Sequence, residues 1–359
     1  MGTRGTVVLE LPPVEGNPRN SEGAFLRLGD GRLVFVYSRF LGESESDTAP
    51  ACIVARFSPD GGRTWGRNDE VLFTRERFGA RNIMSVSLMR MADGELGLYF
   101  LIRRGWHDCR LHLFRSADEG TTWSKPACCI PAPGYYVTNN DRVVRLSSGR
   151  IVVPGNYHRM RGESTESWES FDGRGAAMFF LSDDDGRSWR EAEQCCAMPH
   201  PRSRSGLQET GLLELRNGVL WAHFRTDMGC HYESWSFDGG ESWAEARPSR
   251  FTGPCSPLSA RRMPDGRLLA VWNPVPIYQT REFTAWSAGR TPLAAAVSAD
   301  DGRTWSEPVL LEDGGGGYCY TAIHCEDDAV LLAYCAGSAA DRTCLARLRM
   351  RRVPYADLG

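Results

Sequence analysis

The chain has 359 residues, a formal net charge of −3 and 24% charged residues, so no overall basic field draws it to nucleic acid or to an anionic membrane surface. Its hydrophobic share of 42% can fill a large core, and no window approaches the ~20 consecutive apolar residues of a membrane span. Lys125 is the single lysine and arginine supplies the remaining positive charge, so an arginine at any one position carries less information than usual.

The N-terminal stretch Met1 to Pro13 lacks the apolar run of a signal peptide, which favours a cytoplasmic protein. A trimmed exported chain would start the same way. Within that stretch, TVVLEL (6–11) has the apolar character of a strand. The 12 cysteines form no C-x-x-C, and two sets are adjacent pairs, Cys128–Cys129 and Cys195–Cys196. Neither zinc spacing nor a small disulfide scaffold fits, so reduced thiols and no metal are expected.

Two repeats run along the chain. The first comprises SPDGGRTW (58–65), SADEGTTW (116–123), SDDDGRSW (182–189), SFDGGESW (236–243) and SADDGRTW (298–305). Their common pattern is Ser-x-Asp-x-Gly-x-Ser/Thr-Trp, each following an apolar or alternating run. An aspartate can accept backbone N–H groups across such a turn, glycine supplies a positive φ, and tryptophan packs the hairpin down. The second repeat is a polar turn before an apolar strand: GDGRLVFVY (29–37), ADGELGLYF (92–100), SSGRIVVPG (147–155), RNGVLWAHF (216–224), PDGRLLAVW (264–272) and EDDAVLLAY (326–334). These read as antiparallel hairpins.

The first repeat is similar to the Asp-box of sialidase-like propellers, and the second supplies the blade count. Together they predict an all-β, six-bladed β-propeller over residues 1–359 as one domain, with the last blade lacking its box. The sixth blade is expected to close with the N-terminal strand 6–11, which leaves no long edge exposed. The polar stretch 159–175 in blade 3 is either a substrate-covering flap, through Trp168 and Phe171, or a solvated loop.

The fold by itself names no reaction. The segments between boxes resemble those of the sialidase superfamily, which implies site residues in a set order. LQETGLLELRNGVLWAHFR (207–225) is similar to the segment bearing a catalytic glutamate and the second arginine, implying Glu209 and Arg225. GRTPLAAAVSADDGRTW (289–305) resembles the third-arginine segment, implying Arg290, and GGYCYTAI (316–323) resembles the Gly-Tyr-Ser-x-Leu motif of the nucleophile, implying Tyr318. Arg19, in NPRNSEGAFLRLGDGRL (17–33), stands in the first-arginine position, and Asp47 in the acid position before the first box. The chain departs from the family in following Arg19 with Asn20-Ser21-Glu22 rather than Ile-Pro or Leu-Pro. Glu43 and Glu45 flank Asp47 and could compete with it, and Tyr320, two residues from Tyr318, is expected on the same strand face.

The resemblance implies a retaining exo-α-sialidase without a cofactor, acting on sialylated or other acidic glycans. Its chemistry has an independent logic. A substrate with a carboxylate on its anomeric carbon suits arginine recognition and repels an anionic nucleophile, whereas a neutral tyrosine activated by glutamate avoids that repulsion. Two other readings remain: the same machinery on a ulosonic acid or uronate, and a non-catalytic glycan-binding propeller. Further candidate substrate contacts are Arg81, Asn82, Asp141, Arg142, Tyr157, His158 and Gln208, with interblade hydrogen bonding as the rival use.

Overall fold

The computed structural model describes residues 2–162, 168–274, 284 and 286–359. Six antiparallel blades follow one another in chain order, and each of the six polar turns found in the sequence joins a blade's inner strand to its second. Blade 1 comprises Asn20–Arg27, Leu33–Phe40, Ala51–Ser58 and Glu70–Thr74. Blade 4 comprises Gln208–Glu214, Leu220–Arg225, Cys230–Ser236 and Arg247–Thr252, and blade 5 comprises Ser259–Arg262, Leu268–Trp272, Leu293–Ser298 and Val309–Glu312. Blades 2 and 3 are bridged by the short strand Tyr135–Val137, which pairs parallel with Asp108–Ser116 and antiparallel with Ile151–Met160. In blade 6, Cys319–Cys325, Ala329–Cys335 and Leu348–Pro354 are completed by the N-terminal strand Thr6–Leu11.

The apolar core is distributed between neighbouring blades. Val34, Ile53 and Phe73 of blade 1 pack on Ile83, Leu98 and Phe100 of blade 2, and corresponding wedges fill the remaining interfaces up to that between blades 6 and 1.

The boxes form as their chemistry requires. In the first, Ser58 Oγ donates to Asp60 Oδ1 at 3.0 Å, while the Thr64 amide donates to the same oxygen at 2.8 Å. Gly62, at φ 77°, sends its amide to Ser58 Oγ at 2.9 Å. The four later boxes repeat these bonds around Asp118, Asp184, Asp238 and Asp300. Hydrogen bonds from Thr122, Ser188 and Thr304 hold the carboxyls of Asp118, Asp184 and Asp300 down at about 2. Every box lies at the end of its blade opposite the inner strand's entry, so the boxes fasten one face of the ring and leave the other free for a site.

Candidate active site

The site is built by one backbone device used repeatedly. In blades 1, 2, 4 and 6 the pairing of the inner strand slips near its start: between Ser21 and Ala24, Met84 and Ser87, Gln208 and Gly211, and Cys319 and Ala322. At each slip one residue takes a left-handed backbone: Glu22 (φ 59°), Ser85 (64°), Glu209 (46°) and Tyr320 (59°). Such bulges re-aim a side chain that strict alternation would send elsewhere, and a non-glycine residue there costs roughly 1–3 kcal/mol. All four of these side chains line a single pocket at the mouth of the ring, with Asp47, Asn82, Arg103, Tyr135 and Asn139.

Tyr320 is the tyrosine that meets the glutamate. Its hydroxyl donates to Glu209 Oε1 at 3.0 Å, and Arg225 Nη1 lies 2.8 Å from the same oxygen and 3.4 Å from the hydroxyl. The Arg290 guanidinium stands 5.4 Å from the centre of the Tyr320 ring. Burial, reinforced by the Glu209 charge, pushes the Tyr320 phenol well above its ordinary range, so the resting group is protonated. Glu209 Oε2 is buried without a partner among the described residues, leaving acceptor capacity beside that proton.

This corrects the placement expected for Tyr318. Because Tyr320 sits in the left-handed turn of the bulge, the two tyrosines do not share a face. Tyr318 packs in the core between blades 5 and 6, edge-on to Tyr334 at 6.3 Å, and its carbonyl accepts from Asn273 Nδ2 at 3.1 Å. Burial raises its phenol to about 12. A sequence signal was available: Thr321, hydroxyl-bearing like the motif's serine, follows Tyr320, while Cys319 follows Tyr318.

Of the three arginines at the mouth, Arg19 and Arg290 are buried and Arg225 is half-buried, and they are differently engaged. Arg19 Nε donates to Ser21 Oγ, Nη1 to the Glu45 carbonyl and to Asp47 Oδ1 (2.5 Å), and Nη2 to Glu22 Oε1 (2.7 Å). Four of its five N–H donors are thereby in use. Glu22, whose other oxygen accepts from Ser85 Oγ at 2.7 Å, takes up a place sequence reasoning did not give it. Burial drives its carboxyl up to about 7, partly offset by Arg19. Arg225 and Arg290 are less fully engaged: besides its ion pair with Glu209, Arg225 donates from Nε to Cys255 Sγ at 3.2 Å, and Arg290 donates from Nη1 to Cys319 Sγ at 3.1 Å and from Nη2 to the Cys255 carbonyl at 3.4 Å, sulfur being a weak acceptor. These two guanidiniums therefore keep the most capacity for an incoming anion. Asp47, on the loop after Phe40, stays 60% exposed, open to a leaving group or water.

The other candidates divide. Asn82 lines the pocket and is fixed by a 2.5 Å bond from its Nδ2 to the Ala49 carbonyl. Arg81 is exposed at the entry to blade 2. Asp141 and Arg142 tie blades together: Asp141 accepts from Arg261 Nη2 (2.7 Å) and the Ile323 amide (3.0 Å), and Arg142 Nη2 donates to the Leu258 carbonyl (2.8 Å). Gln208 Nε2 donates to the Gly173 carbonyl at 2.6 Å. Tyr157 packs on Tyr136, while His158 stacks on Phe171 at 4.9 Å and meets Tyr135 edge-on. Phe171 of the expected flap is thus packed beside a pocket-lining tyrosine; residues 163–167 and the Trp168 side chain lie outside the described residues. Arg103 and Tyr135, also in the lining, carry no motif that would have announced them.

A ring of boxed blades whose mouth gathers a tyrosine–glutamate pair, an aspartate and three arginines defines a β-propeller with a glycosidase-like constellation. Residues 31–332 match the BNR repeat-like domain family, and the chain belongs to that family. A sialidase of Micromonospora viridifaciens is 26% identical over 332 residues, covering 85% of this chain and 48% of that protein. The chain therefore spans about half the length of that curated relative. The NanB sialidase of Streptococcus pneumoniae superposes with a TM-score of 0.75 at 12% identity, over 100% of this chain and 72% of that one. An intramolecular trans-sialidase from Ruminococcus gnavus gives 0.70 at 14% identity, over 99% and 98%.

Proposed function

We propose that the chain is a retaining exo-α-sialidase in which Tyr320, rather than Tyr318, is the nucleophile. The observation that carries this reading is the 3.0 Å bond from the Tyr320 hydroxyl to Glu209 at the ring mouth. In the first half-reaction Tyr320 Oη attacks the anomeric carbon and passes its proton to Glu209, while Asp47 protonates the departing glycosidic oxygen. In the second, Asp47 takes a proton from water, whose oxygen attacks the same carbon. The tyrosyl C–O bond then breaks and Glu209 returns the proton. Two displacements retain configuration. Arg225 and Arg290 hold the substrate carboxylate, with the remaining Arg19 donor as a third contact. The phenol's upward shift suits this sequence: the nucleophile rests neutral and ionises only as the carboxylate's counter-charges and the electrophile assemble around it.

The heavy engagement of Arg19 favours one further reading, the same double displacement on a different acidic sugar, such as a ulosonic acid or uronate. One assay series tests both. On a fluorogenic α-sialoside, Tyr320→Phe is expected to lower kcat/KM by at least about 10³-fold, and Tyr318→Phe to leave it near wild type. Full activity in Tyr320→Phe would sink the nucleophile. Turnover of another acidic glycoside, with none of any sialoside, would select the second reading.

A further inference from the structure

On the face of the ring away from the mouth, a cleft of about 740 Å³ opens between the turn 215–217 of blade 4 and the box of blade 5. The strand Leu220–Arg225 connects the two faces: Arg225 reaches the mouth, and Trp221, four residues earlier, stands about 13 Å down the strand in the cleft. Trp221 and Phe251 are buried in its floor, with Trp305 packed against them at 6.2 and 5.1 Å. Trp235 forms a wall, covered by the Arg247 guanidinium at 4.3 Å.

Within this aromatic slot stands a carboxylate. Glu233 Oε2 accepts from Trp221 Nε1 at 3.1 Å, and its nearest cation, Arg247 Nε, is 3.9 Å from Oε1, beyond hydrogen-bond reach. Burial raises the Glu233 carboxyl above its usual range. The other acids of the lining are already committed: Asp300 to Ser298 and Thr304 of the box, Asp301 to Arg262 and the Arg216 amide. On the exposed rim, Arg250 and Arg303 donate no hydrogen bond among the described residues.

The fold does not demand this lining. In the equivalent cleft between blades 1 and 2 half of the lining is aliphatic, and Phe57 and Trp123 are its aromatics. Counted back from the box serine through the strand pairing, the positions of Trp221, Glu233 and Trp235 carry Val34, Ala55 and Phe57 in blade 1. Aromatic faces, a desolvated acceptor and uncommitted guanidinium donors are the complement of a pyranose: an apolar C–H face, hydroxyls and an acidic group.

We propose that the blade 4–blade 5 cleft is a second carbohydrate site, taking a pyranose that bears a carboxylate. The indoles receive the sugar's C–H face, Glu233 accepts a hydroxyl, and Arg250 and Arg303 bind the carboxylate. The choice of a glycan rests on the function proposed above. A glycoconjugate held at the back face presents its other branches to the mouth at raised effective concentration.

Calorimetric titration with 3′-sialyllactose tests it, using the Tyr320→Phe protein so that the probe is not consumed. The expected result is two sites per chain, reduced to one, or with the second at least about tenfold weaker, in Trp235→Leu and separately in Arg303→Ser. With Tyr320 restored, both variants should hydrolyse a small aryl sialoside at the wild-type rate. The exposed rim position of Arg303 keeps the test valid if the tryptophan variant fails to fold. A single site that the cleft substitutions leave undiminished, two undiminished sites after them, or displacement of the sugar from the cleft by adenosine monophosphate each overturns the proposal. Failure of the sialidase reading appears separately, as absence of aryl sialoside hydrolysis with calorimetric binding at the cleft intact.

Discussion

Arg19 has no exposed surface, yet it is charged, because Glu22 and Asp47 face it from opposite sides. Removing one member of a buried ionic cluster strands the others; Arg19→Ala should therefore destabilise the chain by about 3–5 kcal/mol in urea unfolding. Glu22 has the more telling titration. Packed among Arg19, Asp47, Ser85 and Glu209, its carboxyl is raised from 4.5 to about 7, burial being the largest cause. A folded-state value above the unfolded one means that the native chain binds more protons between pH 4.5 and 7. The Glu22 contribution is thus complete below pH 4.5 and is lost as pH rises through about 7. Thermal midpoints measured across that window should fall in the wild type relative to Glu22→Gln, and parallel curves would refute the assignment. Asp47 is separable by chemistry: Asp47→Ala should cost about 10²–10⁴-fold in kcat/KM on natural glycans. The loss should be smaller on aryl substrates, whose phenolate leaves without an acid. Equal losses on both would remove Asp47 from the acid role.

At the scale of the strand, a bulge decides which residue becomes functional. Gly211 follows Glu209 by two positions, and a Cβ there would lie 2.0 Å from His223 Cε1 and 2.8 Å from Arg142 Nη1. Both neighbours are buried, and Arg142 is tied to blade 5, so neither can withdraw freely. Gly211→Ala should cost about 1–3 kcal/mol and displace Glu209, lowering both the unfolding midpoint and kcat. A change under about 0.5 kcal/mol, the size of an ordinary surface substitution, would show that the strand tolerates the group. The same device explains what was legible. A box lies within eight residues and its bonds run from Ser58 to Asp60 to Thr64, so the residue types themselves report the turn. A mouth bulge is set by how two strands pair, and Glu22, Ser85, Glu209 and Tyr320 are residue types that announce no left-handed backbone. Alternation therefore put Tyr318 and Tyr320 on one face, while the ladder slips between Cys319 and Ala322 and separates them. Glu209, Arg225 and Arg290 were readable through the resemblance of segments 207–225 and 289–305 to sialidase segments, and the hairpins and boxes flanking those segments aligned them. Arg103 and Tyr135 come from strands without a marker at that end.

The ring as a whole depends on its seam. Thr6–Leu11 lies against Leu348–Pro354 through five paired positions, with a slip between Val7 and Leu9. Leu11 enters the core shared by blades 6 and 1, and Glu10 pairs with Arg349 of the neighbouring strand and with Arg347 just before it. Upstream of the strand, the Arg4 and Gly5 carbonyls accept from Arg351, which is itself ion-paired to Glu312 at 2.8 Å. The first residues of the chain are thereby wired to blade 5 as well as blade 6. Deleting residues 2–11 removes about five ladder bonds worth about 1 kcal/mol each, together with the Leu11 packing. It also leaves Leu348–Pro354 as an unpaired edge, and such edges recruit other chains. The truncated protein is expected to unfold at lower urea concentration by several kcal/mol and to elute as aggregates in size-exclusion chromatography. A Leu9→Pro variant, which keeps the chain length but removes one strand amide, should move in the same direction by a smaller amount. If the truncated chain ran as a monomer with an unchanged unfolding midpoint, closure would have to come from the interblade wedges alone, and the N-terminal strand would be a cover on the ring instead of its clasp.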